Sequence, residues 1–150
     1  MTDSADVLAN VATAFYSRFK AVDGTGAANA FFTSVAGQLF EDSAPEGAQY
    51  PYAVYTIVNA PKERTFTEVY TSMFLELTIF SSNSSSAEIK DIYQKAVALY
   101  DECSMSITGS TLVWCREENL TTSIEEVITP EGTQKIRTYH VDFDVRTSLN

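Results

Sequence analysis

Apolar residues at Val7, Leu8, Val11, Phe15 and Phe19 recur at three- and four-residue steps. That spacing places them on one face of a helix. Asp3 and Ser4 offer caps at its start, and Asp23-Gly24-Thr25-Gly26 breaks the pattern, so the helix is expected to run to about Ala21. A short second helix is expected over 27–36, with Phe31, Phe32 and Val35 apolar and Gly37 as a left-handed stop. Residues 38–41 suggest a short edge strand, and 42–49 a loop carrying Pro45 and Gly47.

The period then changes from helical to two. Tyr50-Pro51-Tyr52 leads into a strand over 53–58, rich in β-branched and aromatic residues. Residues 59–65 form a polar connection with Pro61 and three charges. A long strand is expected over 66–80, with Met73, Leu75, Leu77 and Ile79 on one face and Phe74, Glu76, Thr78 and Phe80 on the other. A Ser-rich turn follows. Ser85 and Glu88 have the spacing of a capping box, and Ile89, Ile92, Tyr93, Ala96, Leu99, Tyr100 and Cys103 keep helical spacing opposite Lys90, Asp91, Gln94 and Lys95. Thr108-Gly109-Ser110 turns the chain into a strand over 112–118, extended to Val127. Pro130-Glu131-Gly132 makes a second turn. The last strand, 135–147, sets Tyr139, Val141, Phe143 and Val145 against His140, Asp142, Asp144 and Arg146. The expected fold is α+β: a two-layer sandwich, with a mostly antiparallel sheet of about four main strands and two or three helices on one face.

At 150 residues, without a composition shift or linker, the chain is expected to be one domain over 1–150. A hydrophobic content of 45% is that of a globular chain. The net charge of −10 argues against nonspecific nucleic-acid binding, which needs clustered Lys and Arg, and against attraction to anionic membranes. Such a charge keeps a domain soluble, and it also repels DNA phosphates, so DNA can pass beside it without sticking. Residues 1–20 begin acidic and lack a continuous apolar core, which predicts no signal peptide. No window approaches the ~20 apolar residues of a membrane span. Cys103 and Cys115 fit reduced thiols, with a disulfide between them the lesser alternative.

Candidate chemistry is sparse. His140, Asp142 and Asp144 share one strand face and are of types that ligate metals, yet such a row is more often a solvated face, and no metal is expected. Glu117-Glu118 and Glu125-Glu126 are adjacent on strands, so each pair points to opposite faces and cannot act as a joint acid and base. A single His and no flanked Ser or activated Cys make a nucleophilic triad improbable. Gly24-Thr25-Gly26 lacks the preceding strand and following Lys of a phosphate loop. No catalytic residue and no cofactor are expected, and the chain is not read as an enzyme.

Interaction signals are stronger. If the aliphatic row of the long strand packs on the helices, Phe74 and Phe80 face outward, with Tyr70 beside them, and exposed aromatics on a sheet suit a protein interface. Packing under loops is the alternative. The connections 59–65, carrying Lys62 and Arg64, and 121–134 have the length of hairpin arms that reach across a subunit boundary, or of plain loops. Tyr70, Phe74, Phe80, Lys62 and Arg64 are the candidate interface residues.

The segments YPYAVYTIV (50–58), LELTIFSS with the Ser-rich turn to 86, the helix 87–100 and CSMSITGSTLVWCREEN (103–119) together resemble the tail-completion proteins, or tail terminators, of long-tailed bacteriophages. Residues 1–49 fit that family as a helical start, and 121–134 match nothing in it. The resemblance implies a structural virion protein of the tail or neck, assembled in the host cytoplasm. It would form a ring, in this family usually of six copies, on the last ring of tail tube protein. That ring would stop tube growth and bind the head-tail connector or head-closure protein, while DNA passes through the lumen without specific binding. The alternatives are a head-closure or adaptor ring protein of the same neck, or a cytosolic α+β protein-binding domain.

Overall fold

The computed structural model describes residues 7–22, 25–58 and 61–150. The expected caps at Asp3 and Ser4, the Asp23-Gly24 break and Asn59 lie outside them. Helix α1 (Val7–Phe19), helix α2 (Ala30–Ser34) and strand β1 (Leu39–Glu41) come first. Strands β2 (Tyr52–Val58), β3 (Lys62–Arg64) and β4 (Val69–Ser81) follow, then helix α3 (Ala87–Tyr100). Strands β5 (Ser106–Ile107), β6 (Ser110–Thr129) and β7 (Gly132–Leu149) complete the order. They form one sheet, ordered β1-β2-β4-β7-β6-β5, with β3 also pairing β4. β1 runs parallel to β2, and the other pairings are antiparallel.

The α+β class is as expected; the strand count is not. Among the described residues seven strands stand where four main ones were expected: β1 is the short edge strand expected over 38–41, whereas β3 and β5 are too short to show a period. β3 is exposed throughout, and its polar residues carry no alternation. It becomes a strand only because Lys62, Glu63 and Arg64 lie opposite Thr71, Tyr70 and Val69. Phe66 is not in the long strand: residues 65–68 form a turn in which Thr65 N–H donates to the Glu68 carbonyl, and β4 begins after it.

The core sits between the helices and one face of the sheet. Met73, Leu75, Leu77 and Ile79 of β4 and Val141, Phe143 and Val145 of β7 are buried with Val11 and Phe15 of α1 and Ile89, Ile92 and Ala96 of α3. Each such apolar side chain contributes about 1.5–3 kcal/mol on burial. Phe15 stacks on Tyr100 at 4.0 Å, and the Tyr100 hydroxyl donates to the Phe15 carbonyl at 3.0 Å. Arg18 binds the ends of α1 and α3 together, with Nε donating to the Leu99 carbonyl at 2.7 Å. A guanidinium there also meets the negative end of the α3 dipole.

Asn29 explains why the first two helices are shorter than their apolar pattern. Its Nδ2 donates to the carbonyls of Phe19 at 2.7 Å and Ala21 at 3.1 Å, which closes α1. Its Oδ1 accepts from Phe32 N–H at 2.9 Å, which opens α2. One side chain thus caps two helices and starts α2 at Ala30, against the expected 27; its end is capped at Val35, whose N–H donates to the Phe31 carbonyl. Gly37 is the stop anticipated: its φ is +72°, and a Cβ there would lie 2.9 Å from the Phe32 ring. The Ser85–Glu88 capping box does not form. Glu88 Oε1 instead accepts from the Ser81 hydroxyl at 2.7 Å, and Ser85 Oγ accepts from Ala87 N–H at 3.1 Å. Glu88 is drawn back to the end of β4, so it ties the turn to the sheet.

Asn29→Ala removes both caps at once, and is expected to lower unfolding stability by about 1–2 kcal/mol. Chemical denaturation with an unchanged m-value checks this.

Candidate functional site

Side chains alternate across a strand, so burying odd-numbered residues of β4 and β7 under the helices turns the even-numbered ones to the opposite face. Register then fixes the rows of that open face. Val58, Phe74, Asp144 and Arg116 lie in one row across β2, β4, β7 and β6. Thr56, Glu76, Asp142 and Asn119 form the next, and Val54, Thr78, His140 and Thr121 the one after. Ser72, Arg146 and Trp114 form a row nearer the start of β4.

Arg146 is the hub of that end. Its guanidinium lies 4.5 Å from the Tyr70 ring centroid and 5.5 Å from that of Trp114. Its two amino groups donate to Ser72 Oγ and Glu63 Oε2, each at 3.1 Å. Arg116 lies over Trp114 at 4.3 Å, and Trp114 Nε1 donates to Asp144 Oδ2 at 3.0 Å. Each cation–π contact contributes about 0.5–2 kcal/mol, depending on how dry it is. Between them the contacts hold the side chains of four strands in fixed positions on a face no helix covers.

The middle of the face is acidic. His140 Nδ1 is 3.1 Å from Thr78 Oγ1 and 3.2 Å from Glu76 Oε1. Burial, and then the charge of Glu76 directly opposite, hold the Asp142 carboxyl above the ordinary carboxylate range, and His140 offsets this in part. The row considered for metal binding is thus divided: His140 is engaged by Thr78 and Glu76, and Asp144 by Trp114 and Arg116. Among the described residues no group of three or more His, Cys, Asp or Glu is placed to hold a metal. On the helix side, Tyr93 donates to Glu117 Oε1 at 2.6 Å, and burial together with that bond pushes its pKa up to about 12. Cys115 is buried and Cys103 half-buried, and both are free thiols.

The five candidate interface residues occupy different settings. Phe74 is exposed at 44% in the middle of the open face. Phe80 shares that face but stacks on Tyr52 at 4.9 Å and is half-buried. Tyr70 is half-buried beneath Arg146. Lys62 and Arg64 are exposed on β3, far along β4 from Phe80. Sequence reasoning missed Trp114, although a lone Trp in a polar alternating strand was a signal for it. It also missed the exposed Ile124 and Ile128 of β6, whose signal was two β-branched apolar residues in an otherwise polar arm.

Two hairpins extend from the sheet. The β3–β4 hairpin carries the fully exposed Phe66 at its turn. The β6–β7 hairpin runs past the last β4 pair, Ser81↔Arg137, from Glu125↔Ile136 to Thr129↔Gly132, roughly 17 Å at about 3.4 Å per residue. A shallow depression of about 510 Å³ lies between the arm, from Lys135 out to its tip at Glu131, and Ser82 and Ser84.

The family model described as "Tail completion protein gp17" matches residues 22–149. Among solved structures, the chain is similar to a chain in the "Virion of native gene transfer agent (GTA) particle", with a TM-score of 0.75 at 13% identity, over 97% of this chain and 99% of that one. At that identity the likeness speaks for the fold. No curated protein sequence matches.

Two outcomes are expected of the open face. Phe74→Asp changes stability by less than about 1 kcal/mol, whereas Phe80→Asp, which loses the Tyr52 stack, lowers it by about 2 kcal/mol or more; urea titration separates the two. Asp142→Asn raises stability at neutral pH. The raised carboxyl pKa means the folded state favours the protonated form, so the wild type loses stability as pH rises through that pKa while the amide does not. The difference between them therefore shrinks as pH falls, which paired denaturation curves across acid and neutral pH reveal.

Proposed function

The chain belongs to the Tail completion protein gp17 family, one of structural virion proteins and not of enzymes, and we propose that it forms a ring, most simply of six copies, that caps the tail tube. One side of the ring contacts tail tube protein, and the other the head-tail connector or head-closure protein. DNA passes through the lumen. The protein acts as one domain, assembled in the host cytoplasm and carried in the tail or neck of the virion.

The observation that carries this reading is an ordered, uncovered sheet face joined to two hairpins that leave the sheet at opposite ends. A molecule with different projections at its two ends is suited to heterologous contacts, which close into rings when the rotation between copies allows. The fixed Arg146–Trp114–Tyr70 cluster and the exposed Phe74 beside it give that face aromatic and Arg content, the composition favoured in interface centres. The net charge of −10 supports a lumen that repels phosphate, so DNA would slide past it. Lys62 and Arg64, on a hairpin at the rim of the sheet, suit a contact between copies better than a DNA track.

Native mass spectrometry and light scattering at micromolar concentrations are expected to show a hexamer, or a shift toward one as concentration rises. Phe74→Asp should move that equilibrium toward monomer while the fold persists. A chain that stays monomeric at every concentration and also fails to bind purified tail tubes would contradict the ring.

A further inference from the structure

The chain that leaves α3 folds back onto β6, and this brings the two cysteines together. Glu102 N–H donates to the Cys115 carbonyl at 2.8 Å, and Glu117 N–H donates to Asp101 Oδ1 at 2.9 Å. These two bonds fix residues 101–102 beside 115–117. Glu102 takes a left-handed φ of +54°, a conformation uncommon for a residue with a Cβ. Cys103 comes next in the chain and packs against the core cluster that contains Cys115. The two thiols are hydrogen-bonded to one another.

Their settings differ. Cys115 is buried in the core on the helix side of β6. Cys103 is half-buried and lines an open depression of about 520 Å³ together with Met105, Ser110 and Leu112. A small reagent can reach Cys103 but not Cys115. The hydrogen bond from Cys115 holds the Cys103 thiol below its ordinary range; burial opposes this, Arg18 adds to it and Asp101 opposes it. The same bond, and then burial, push Cys115 above the ordinary range. The accessible sulfur is therefore the more readily ionised one, and the thiolate is the nucleophile in thiol chemistry.

We propose that Cys103 and Cys115 are a modification site that closes to an internal disulfide when the folded chain meets a low-molecular-weight disulfide. The Cys103 thiolate attacks one sulfur of the reagent, whose other half leaves as a thiolate, and a mixed disulfide forms on Cys103. The Cys115 sulfur then attacks the Cys103 sulfur and gives up its proton, and the second half of the reagent leaves as a thiol. Two cysteine thiols are oxidised to one disulfide, and the reagent is reduced to two thiols. The new bond ties the end of α3 to β6, at the place where Arg18 already ties it to α1. In a reducing cytoplasm the pair stays open, and in a virion outside the cell it can close. Cys115 lies on the helix side and Cys103 packs against the same core, so closure leaves the open face and the two hairpins as they are. The site does not depend on the ring reading.

The test incubates the folded, unsubstituted protein with oxidised glutathione, alkylates the remaining free thiols, and reads the intact mass and a non-reducing peptide map. The expected product is a single chain lighter by two hydrogens, with no alkylation and with Cys103 and Cys115 in one linked peptide. A chain whose thiols both stay free would overturn the proposal. So would one that keeps glutathione on Cys103 while Cys115 is alkylated, or one joined through Cys103 to a second copy. Single variants read the order of attack. Cys115→Ala is expected to stop with one glutathione on Cys103, and Cys103→Ser to react about tenfold more slowly or less. Equal rates in the two variants would contradict the assigned roles, and the result on the unsubstituted chain holds whether or not either variant folds. Thermal unfolding reads the link itself. The oxidised form is expected to melt roughly 5–10 °C above the reduced form, and an equal or lower midpoint would show that the bond does not brace the fold.

Discussion

The pairing of β4 with β7, unbroken from Tyr70↔Ser148 to Ser81↔Arg137, settles where everything else goes. Its register puts Met73, Leu75, Leu77 and Ile79 beside Val141, Phe143 and Val145, and that joint apolar surface is what α1 and α3 cover. A slip of one residue would bring Phe74, Glu76, Asp142 and Asp144 under the helices and bury several unpaired charges. The same constraint orders the outer face. Arg146 can reach Ser72, Glu63, Tyr70 and Trp114 only because those residues arrive on the same side of neighbouring strands.

The molecule therefore divides its tasks by face. The helix side is closed: Phe15, Tyr100 and Phe143 pack together, the Tyr100 hydroxyl has its acceptor, and Arg18 joins two helix ends. The open side and the two hairpins instead leave large apolar side chains exposed, among them Phe74, Phe66 and Ile128. This suits a structural component of a virion tail, which must fold before it assembles and then bind neighbours through surfaces already in place. The arm is ordered by the pairing of two sheet strands that continue into it.

Long elements with a clear period were legible in the sequence. Of the apolar stripe expected for α3, Ile89, Ile92, Ala96 and Tyr100 are fully buried and Tyr93, Leu99 and Cys103 partly so, and the two rows of β4 and β7 were assigned to their observed faces. Short elements were not legible, because β3 and β5 are made strands by their neighbours and not by their own residues. Helix ends escaped for a similar reason: Asn29 and Glu88 had partners available that local motifs do not reveal, the α1 carbonyls and Ser81. At the candidate site, alternation placed Phe74 and Phe80 on one face but could not separate them. Their difference lies in Tyr52, which register brings against Phe80 and not Phe74. The Arg146 hub needed four strands in order before it existed at all.

On the reading proposed above, the monomer folds around the helix side of β4 and β7 and keeps its hairpins for assembly. Amide hydrogen exchange, compared between free protein and protein bound to tail tubes, tests this most directly. In the free chain, amides of central β4 and β7 should be the slowest, and those of the β6–β7 arm beyond Ser81↔Arg137 among the fastest. On assembly the arm and the β3–β4 hairpin should slow while the core stays unchanged. Hairpins that are already protected in the free chain, or that gain nothing on assembly, would contradict it.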